Sequence, residues 1–238
     1  MPLTTHRPIG EPAQAAHATG LCQGVWLSPA GVTSGGGAAR FQGPVDGAWG
    51  GRCEGRGEVD AGSGGFHAEL ALTGGNAVNA AIAAGGHRRE WLRLDDPGST
   101  PRAWRSLDLL LSLTGELQCD GARHRGWGAD PAGSAFVGSE DAGGEPLVLT
   151  LRLDPLQPGA VAAQARHRIE LRNGAWTPLP LRFATRIQAS LGQPMHWVVQ
   201  AYWALAAPPG TRVAYRCDCD AGPVPRVSSR SVVTRRST

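Results

Sequence analysis

The chain has no lysine; all 23 of its basic residues are arginines. A phosphate loop of the GxxxxGK[ST] type needs a lysine to reach the phosphates, so that chemistry is excluded. Every cationic contact is instead made through a planar guanidinium, which forks onto carboxylates and stacks on rings. Charged residues make up only 18% of the chain, low for a globular protein. No apolar run approaches the ~18 residues of a membrane span, so no membrane partner is expected. Residues 1–18 contain no apolar core, hence no secretory signal is read there. Synthesis in the cytoplasm is expected, with incorporation into a virion as a possible later fate. Five cysteines, an odd number, do not complete a disulfide framework. No HExxH, GxSxG or helix-opening GxGxxG occurs, so no catalytic residue and no cofactor is assigned.

Glycine and proline are abundant, at 34 and 18 residues. They favour turns and tight bends over long helices. Between residues 147 and 217 a period of two dominates. Leu147, Leu149, Leu151 and Leu153 alternate with Val148, Thr150 and Arg152, and Leu181, Phe183, Thr185 and Ile187 alternate with Arg182, Ala184 and Arg186. Such alternation places one apolar and one wet face on a half-buried antiparallel sheet. The segments predicted as strands are 147–153, 165–172, 180–190, 195–206 and 211–217. Asn173-Gly174 and Pro208-Pro209-Gly210 are the turn signals between them. Upstream, strands are expected near 24–27, 38–42, 52–59, 66–72 and 89–94. The run 76–84 fits helix and strand equally, and 104–117 is read as a buried strand.

The fold class expected is all-β: an antiparallel β-sandwich, or a jelly-roll-like one, with glycine-rich loops and extended terminal arms. Residues 1–20 are assigned to a flexible arm, 21–220 to the sandwich and 221–238 to a basic tail. A long loop at 120–146 is a possible subdivision. The tail, with Arg226, Arg230, Arg235 and Arg236, is the one place where nucleic acid is a candidate partner.

Two groups of residues stand out as candidate contacts. Arg182, Arg186, Arg212 and Arg216 share wet strand faces. Val198 and Tyr202 occupy the outer side of a strand that is apolar on both sides, which suggests a covered surface. These six are the candidate subunit interface. Trp104, Trp127 and Trp176 lie near loops and are candidate flat platforms for a sugar, with Phe136 a further contact candidate. Cys217 and Cys219 are candidate metal ligands, although a one-residue gap is not the spacing of zinc sites, and buried small hydrophobes are the plainer reading. His167 falls on an apolar face as a core histidine, and 87–90 (HRRE) reads as a polar edge. Asp95-Asp96 and Glu140-Asp141 are the paired acids that a polysaccharide hydrolase would need.

The function expected is that of a non-enzymatic structural protein joining a larger particle, with a virion capsid, decoration or tail component as the concrete form. Its partners are then copies of itself or other structural subunits. A carbohydrate-binding sandwich and a polysaccharide hydrolase are the alternatives.

Overall fold

The computed structural model describes residues 14–22, 25–27, 38–46, 52–61, 65–75, 79–119, 133–140, 145–190 and 194–217. Among them are thirteen strands and no helix: β1 (Gln14–Cys22), β2 (Val25–Leu27), β3 (Ala38–Asp46), β4 (Arg52–Asp60), β5 (Gly65–Gly75), β6 (Asn79–Asp95), β7 (Trp104–Cys119), β8 (Gly133–Glu140), β9 (Pro146–Leu153), β10 (Gly159–Arg172), β11 (Trp176–Ser190), β12 (Met195–Ala206) and β13 (Arg212–Cys217). One sheet has the order β2-β1-β6-β11-β8-β9, with β13 also on β6; the other runs β10-β7-β12-β5-β4-β3. The two antiparallel sheets pack together as a β-sandwich around one cluster of buried side chains.

The 17-residue β6 is the spine of the first sheet. β11 pairs with it over Asn79–Arg93. Along its other edge β1 covers Ala80–Arg88 and β13 covers Glu90–Asp95. The first and last described strands therefore meet on β6 at residues 88–90.

Trp197 shows how the sheets interlock. It is fully buried and points inward from β12. Its ring fills the space that Gly115 leaves open on β7: a Cβ at that glycine would overlap the ring and lie 2.5 Å from the Val198 carbonyl. The indole Nε1 donates to Thr185 Oγ1 on β11 at 2.9 Å. Thr185 donates onward to the Ser134 carbonyl of β8 at 2.9 Å. A single buried N–H thus finds its acceptor in the opposite sheet, as a buried indole must.

A second knot closes one end. Asn173 follows β10, is buried, and donates through Nδ2 to the carbonyls of Asp96 at 3.0 Å and Ser99 at 3.2 Å. Its Oδ1 accepts the Asp96 amide at 2.8 Å. One amide side chain therefore pins the β6–β7 turn to the β10–β11 crossing.

The structure departs from sequence expectation in several places. The N-terminal arm does not extend to residue 20, because the chain is paired from Gln14 and buries Ala16 and Ala18. Run 76–84 enters a strand at Asn79, its alanines lying flat between β1 and β11. The 120–146 loop contains β8, whose Ala135 and Val137 are buried. Asn173-Gly174 and Pro208-Pro209-Gly210 are turns, with Gly174 at φ 74° and Gly210 at φ 83°. They carry the chain from one sheet to the other rather than closing hairpins, since β10 and β12 belong to one sheet and β11 and β13 to the other. Residues 1–13 of the arm, 120–132 of the loop and the tail 221–238 lie outside the described residues.

The Trp197 contact generates a stability prediction. Gly115→Ala is expected to destabilise the fold by about 1–3 kcal/mol or more through overpacking. Thr185→Val, which strands the indole N–H, is expected to cost about 1–3 kcal/mol. Urea unfolding followed by tryptophan fluorescence measures both.

Candidate functional site: the outer face of the seven-stranded sheet

Strand alternation decides which arginines share a surface. On β13, Arg212 and Arg216 stand opposite Asp95 and Trp91 of β6. On β6, the outward residues are His87, Arg89, Trp91, Arg93 and Asp95, set against Arg182, Pro180, Pro178 and Trp176 of β11. Further along β11, Arg186 stands opposite Ser134 of β8, and Ser134 opposite Arg152 of β9. The register therefore lays Arg212, Arg93, Arg216, Arg89, Arg182 and Arg186 in a diagonal stripe across three neighbouring strand positions, and Arg152 continues it. From strand spacing and rise, most neighbours along the stripe are about 8 Å apart and the whole spans ~40 Å. Among the side chains described as facing outward on this sheet's strands, Asp95 is the one acid, bound to Arg93 at 3.0 Å.

Aromatic rings brace the stripe. Arg93 lies 5.4 Å from the Trp176 centroid, and Arg216 lies 5.7 Å from Trp91 and 5.8 Å from Trp176. Guanidinium groups held over indole faces keep their forks aimed outward while gaining about 0.5–1 kcal/mol each at exposed sites. The floor beside Arg182 and Arg186 is low. Ala81 and Ala83 form a small cluster on this side, the Phe136 ring lies over Gly138, and the His17 ring crosses Gly85. Burial lowers the His17 pKa below its ordinary 6.5, and the charge of His87 lowers it further.

The six candidate interface residues do not form one patch. Arg182, Arg186, Arg212 and Arg216 are exposed on the seven-stranded sheet, whereas Val198 and Tyr202 lie on β12 in the other sheet and face the opposite side of the sandwich. Sequence proximity hid this because β11 and β12 are consecutive yet belong to different sheets. The tryptophan platform is also divided. Trp104 is 50% exposed at the start of β7, with Arg172 4.8 Å above its ring. Trp176 is half-buried in the other sheet, and Trp127 lies outside the described residues. Cys217 ends β13 opposite Glu90 and Cys219 lies outside the described residues; among those described, no group of three potential metal ligands occurs.

Asp95 and Asp96 bind neighbouring groups of the fold, and the side chain of Glu140 lies outside the described ones. Asp95 holds Arg93. Asp96 accepts from the Gly98 amide and from Arg105 Nε, each at 3.0 Å. Asp141 lies outside the described residues. His167 is half-buried, and its Nε2 is shielded without a hydrogen-bond partner among the described residues, so it is not the satisfied core histidine expected from its strand.

Residues 87–90 are not a polar edge. Arg88 and Glu90 are in phase with Leu92 and Leu94, and all four are buried between the sheets. Arg88 is ion-paired with Glu90, donates to the Ala61 carbonyl at 3.1 Å and lies 5.3 Å from the Trp203 centroid. Burial, with the nearby Glu90 charge, raises the Tyr215 pKa. Only the parity of β6, carried back from Leu92 and Leu94, signals this pair in the sequence.

On the six-stranded sheet, Glu69 accepts from Arg56 and lies 3.2 Å from His196 Nε2. Burial pushes the Glu69 pKa up. The His196 hydrogen bond and the charges of Arg56 and His196 outweigh that and hold it below the ordinary carboxylate range.

Two predictions follow from these charges. Glu90→Gln leaves the Arg88 charge buried and is expected to destabilise by about 3–5 kcal/mol, while the double variant Arg88→Met/Glu90→Leu returns close to the parent. Chemical denaturation measures both, and spectrophotometric titration of Glu90→Gln is expected to show Tyr215 titrating lower. Because His17 titrates lower in the folded chain, the unfolded chain binds its proton first. Stability is therefore expected to fall as pH drops below 6.5, and His17→Gln to flatten that slope in denaturation midpoints measured from pH 7 to 5.

No protein-family model and no curated protein matches the chain. Among solved structures, TmCBM61 in complex with β-1,4-galactotriose is similar at 8% identity and a TM-score of 0.28, over 59% of this chain and 71% of that one. The arabinose-bound MgGH51 α-L-arabinofuranosidase is similar at 10% identity and a TM-score of 0.24, over 68% of this chain and 23% of that one. Likeness at this level carries nothing about ligand or activity.

Proposed function

We propose that this chain is a non-enzymatic structural subunit that takes its place in a larger particle by laying the outer face of its seven-stranded sheet on an acidic neighbour. A virion component is one concrete form of such a subunit. The observation that supports this reading is the clustering of charge: a ~40 Å diagonal of arginines on one face, with Asp95 the one acid among the side chains described as facing outward there. Guanidinium forks are suited to an acidic neighbour because they pair with carboxylates in two bonds and shed water more readily than an ammonium. Charge at such a surface steers encounter and sets register.

The test is self-association measured by sedimentation velocity and light scattering. The wild-type protein is expected to form species larger than a monomer that dissociate as salt rises toward ~1 M, where the screening length shrinks to ~3 Å. Arg182→Glu/Arg186→Glu, at two exposed positions, is expected to weaken association at least tenfold with unchanged thermal unfolding. A monomer at every salt and protein concentration overturns a self-assembling subunit.

A further inference from the structure

One edge of the six-stranded sheet is left open for another strand. Among the described residues, β10 pairs with β7 alone, over all 14 of its residues and in unbroken register. In an antiparallel ladder every second residue turns its N–H and C=O to the same side. Alternate residues of β10 therefore aim theirs away from β7, and none of these groups bonds to another described backbone group. The other outermost strands are shorter or blunted. β3, at the far edge of the same sheet, carries Pro44, β9 has 8 residues and begins at Pro146, and β13 and β2 have 6 and 3. Prolines and short length keep an edge from pairing with another chain; β10 has neither. Its side chains are also graded, small from Gly159 to Ala165 except for Gln164, and large from Arg166 to Arg172. Along the row that faces the opposite sheet, Ile169 and Leu171 are buried, whereas Val161, Ala163 and Ala165 are only half-buried.

We infer that the edge of β10 pairs with the same edge of a second copy of this chain, antiparallel about a two-fold axis through Ala165, so that the two six-stranded sheets run on as one. An axis normal to the sheet keeps inward side chains inward in both copies. Arg166 then stands opposite Gln164 of the second copy, Arg168 opposite Ala162 and Ile169 opposite Val161. Large side chains meet small ones at every step, and the half-buried inward residues of one copy lie beside the bulky end of the other. Two registers align the most residues. An axis at Arg166 sets that arginine against itself, which is unfavourable across strands; the axis at Ala165 opposes no two arginines. The paired strands exchange about a dozen backbone hydrogen bonds, as many as a typical interface carries. A strip ~44 Å long and ~10 Å deep covers roughly 450 Å² per copy. The total of about 900 Å² is just under the ~1,000 Å² of a firm contact, so the dimer is reversible. This isologous contact involves none of the arginine stripe and goes beyond the docking reading above.

The test removes the stripe with Arg182→Glu/Arg186→Glu and follows this variant by sedimentation velocity at physiological salt. A dimer is expected to remain, and to persist toward ~1 M salt, because backbone bonds rather than exposed charges hold it. Adding Ala162→Arg/Gln164→Arg, at two exposed positions, sets arginine against Arg168 and Arg166 across the axis. Dimerisation is expected to weaken at least tenfold with an unchanged circular dichroism melt. Adding Ala162→Glu/Gln164→Glu instead sets acids against the same arginines and is expected to tighten the dimer at least threefold. Amide hydrogen exchange in residues 159–171 is expected to slow as protein concentration rises. A monomeric stripe variant overturns the pairing of β10 edges, as do equal effects of the arginine and glutamate changes, or exchange in 159–171 that ignores concentration. Salt-sensitive association of the wild type would leave the docking face standing in each of those cases.

Discussion

The hydrogen bond from Trp197 to Thr185 joins the two sheets at the centre of the sandwich. It forms only because Gly115 leaves room for the indole beneath β12. That contact sets the phase of β12 against β11, and with it the side to which every side chain of those strands points. A strand cannot turn one residue outward without turning its neighbours inward. Once Thr185 faces the core, Arg182 and Arg186 are committed to solvent. Once Trp197 faces the core, Val198 and Tyr202 are committed to the other solvent face. The surface proposed to dock is a consequence of how the core is keyed.

Alternation was plainly legible from residue 147 onward, because Leu, Ile and Phe there trade places with Arg, Glu and Gln at every step. Three of the five strands there emerge within a residue of their expected limits, while β10 begins six residues earlier, at Gly159, and β11 four earlier, at Trp176. Sheet membership was not legible. Nothing in the residues of β11, β12 or the turns beside them says that the chain changes layer at each connection, and that switch sends arginines and Val198 to opposite faces. A proline–glycine turn reads alike whether it closes a hairpin or spans two sheets. Glycine- and alanine-rich stretches were the other blind spot. Ala80, Ile82 and Ala84 carry too little contrast with Ala81 and Ala83 to reveal a period. The strand is there because β1 and β11 flank it on both sides.

Arg88 and Glu90 show the limit of reading charge as exposure. Four polar residues in a row suggest an edge, yet period two places the second and fourth of them inward. The interior accepts them because they arrive as a pair, because the Ala61 carbonyl accepts from the arginine, and because Trp203 presents its ring to the guanidinium. Such a pair adds little net stability over an apolar substitute. Its position is more informative, since it lies where β1 ends and β13 begins along β6. Both terminal strands are thus anchored beside the same buried charges.

The two outer faces handle charge differently, and that difference separates a docking surface from a merely wet one. On the six-stranded side, arginines alternate with acids and pair locally: Arg40 with Glu58, Arg56 with Glu69, Arg166 and Arg168 near Asp108. A surface that neutralises itself needs nothing further from its surroundings. On the seven-stranded side, arginines are spaced along a diagonal and braced by indoles, and Asp95 is the one acid among the outward side chains described there. Like charges about 8 Å apart repel each other, weakly at physiological salt, where the screening length is also about 8 Å. The fold bears that small cost in every isolated molecule. The cost disappears when a partner's carboxylates are laid against the stripe.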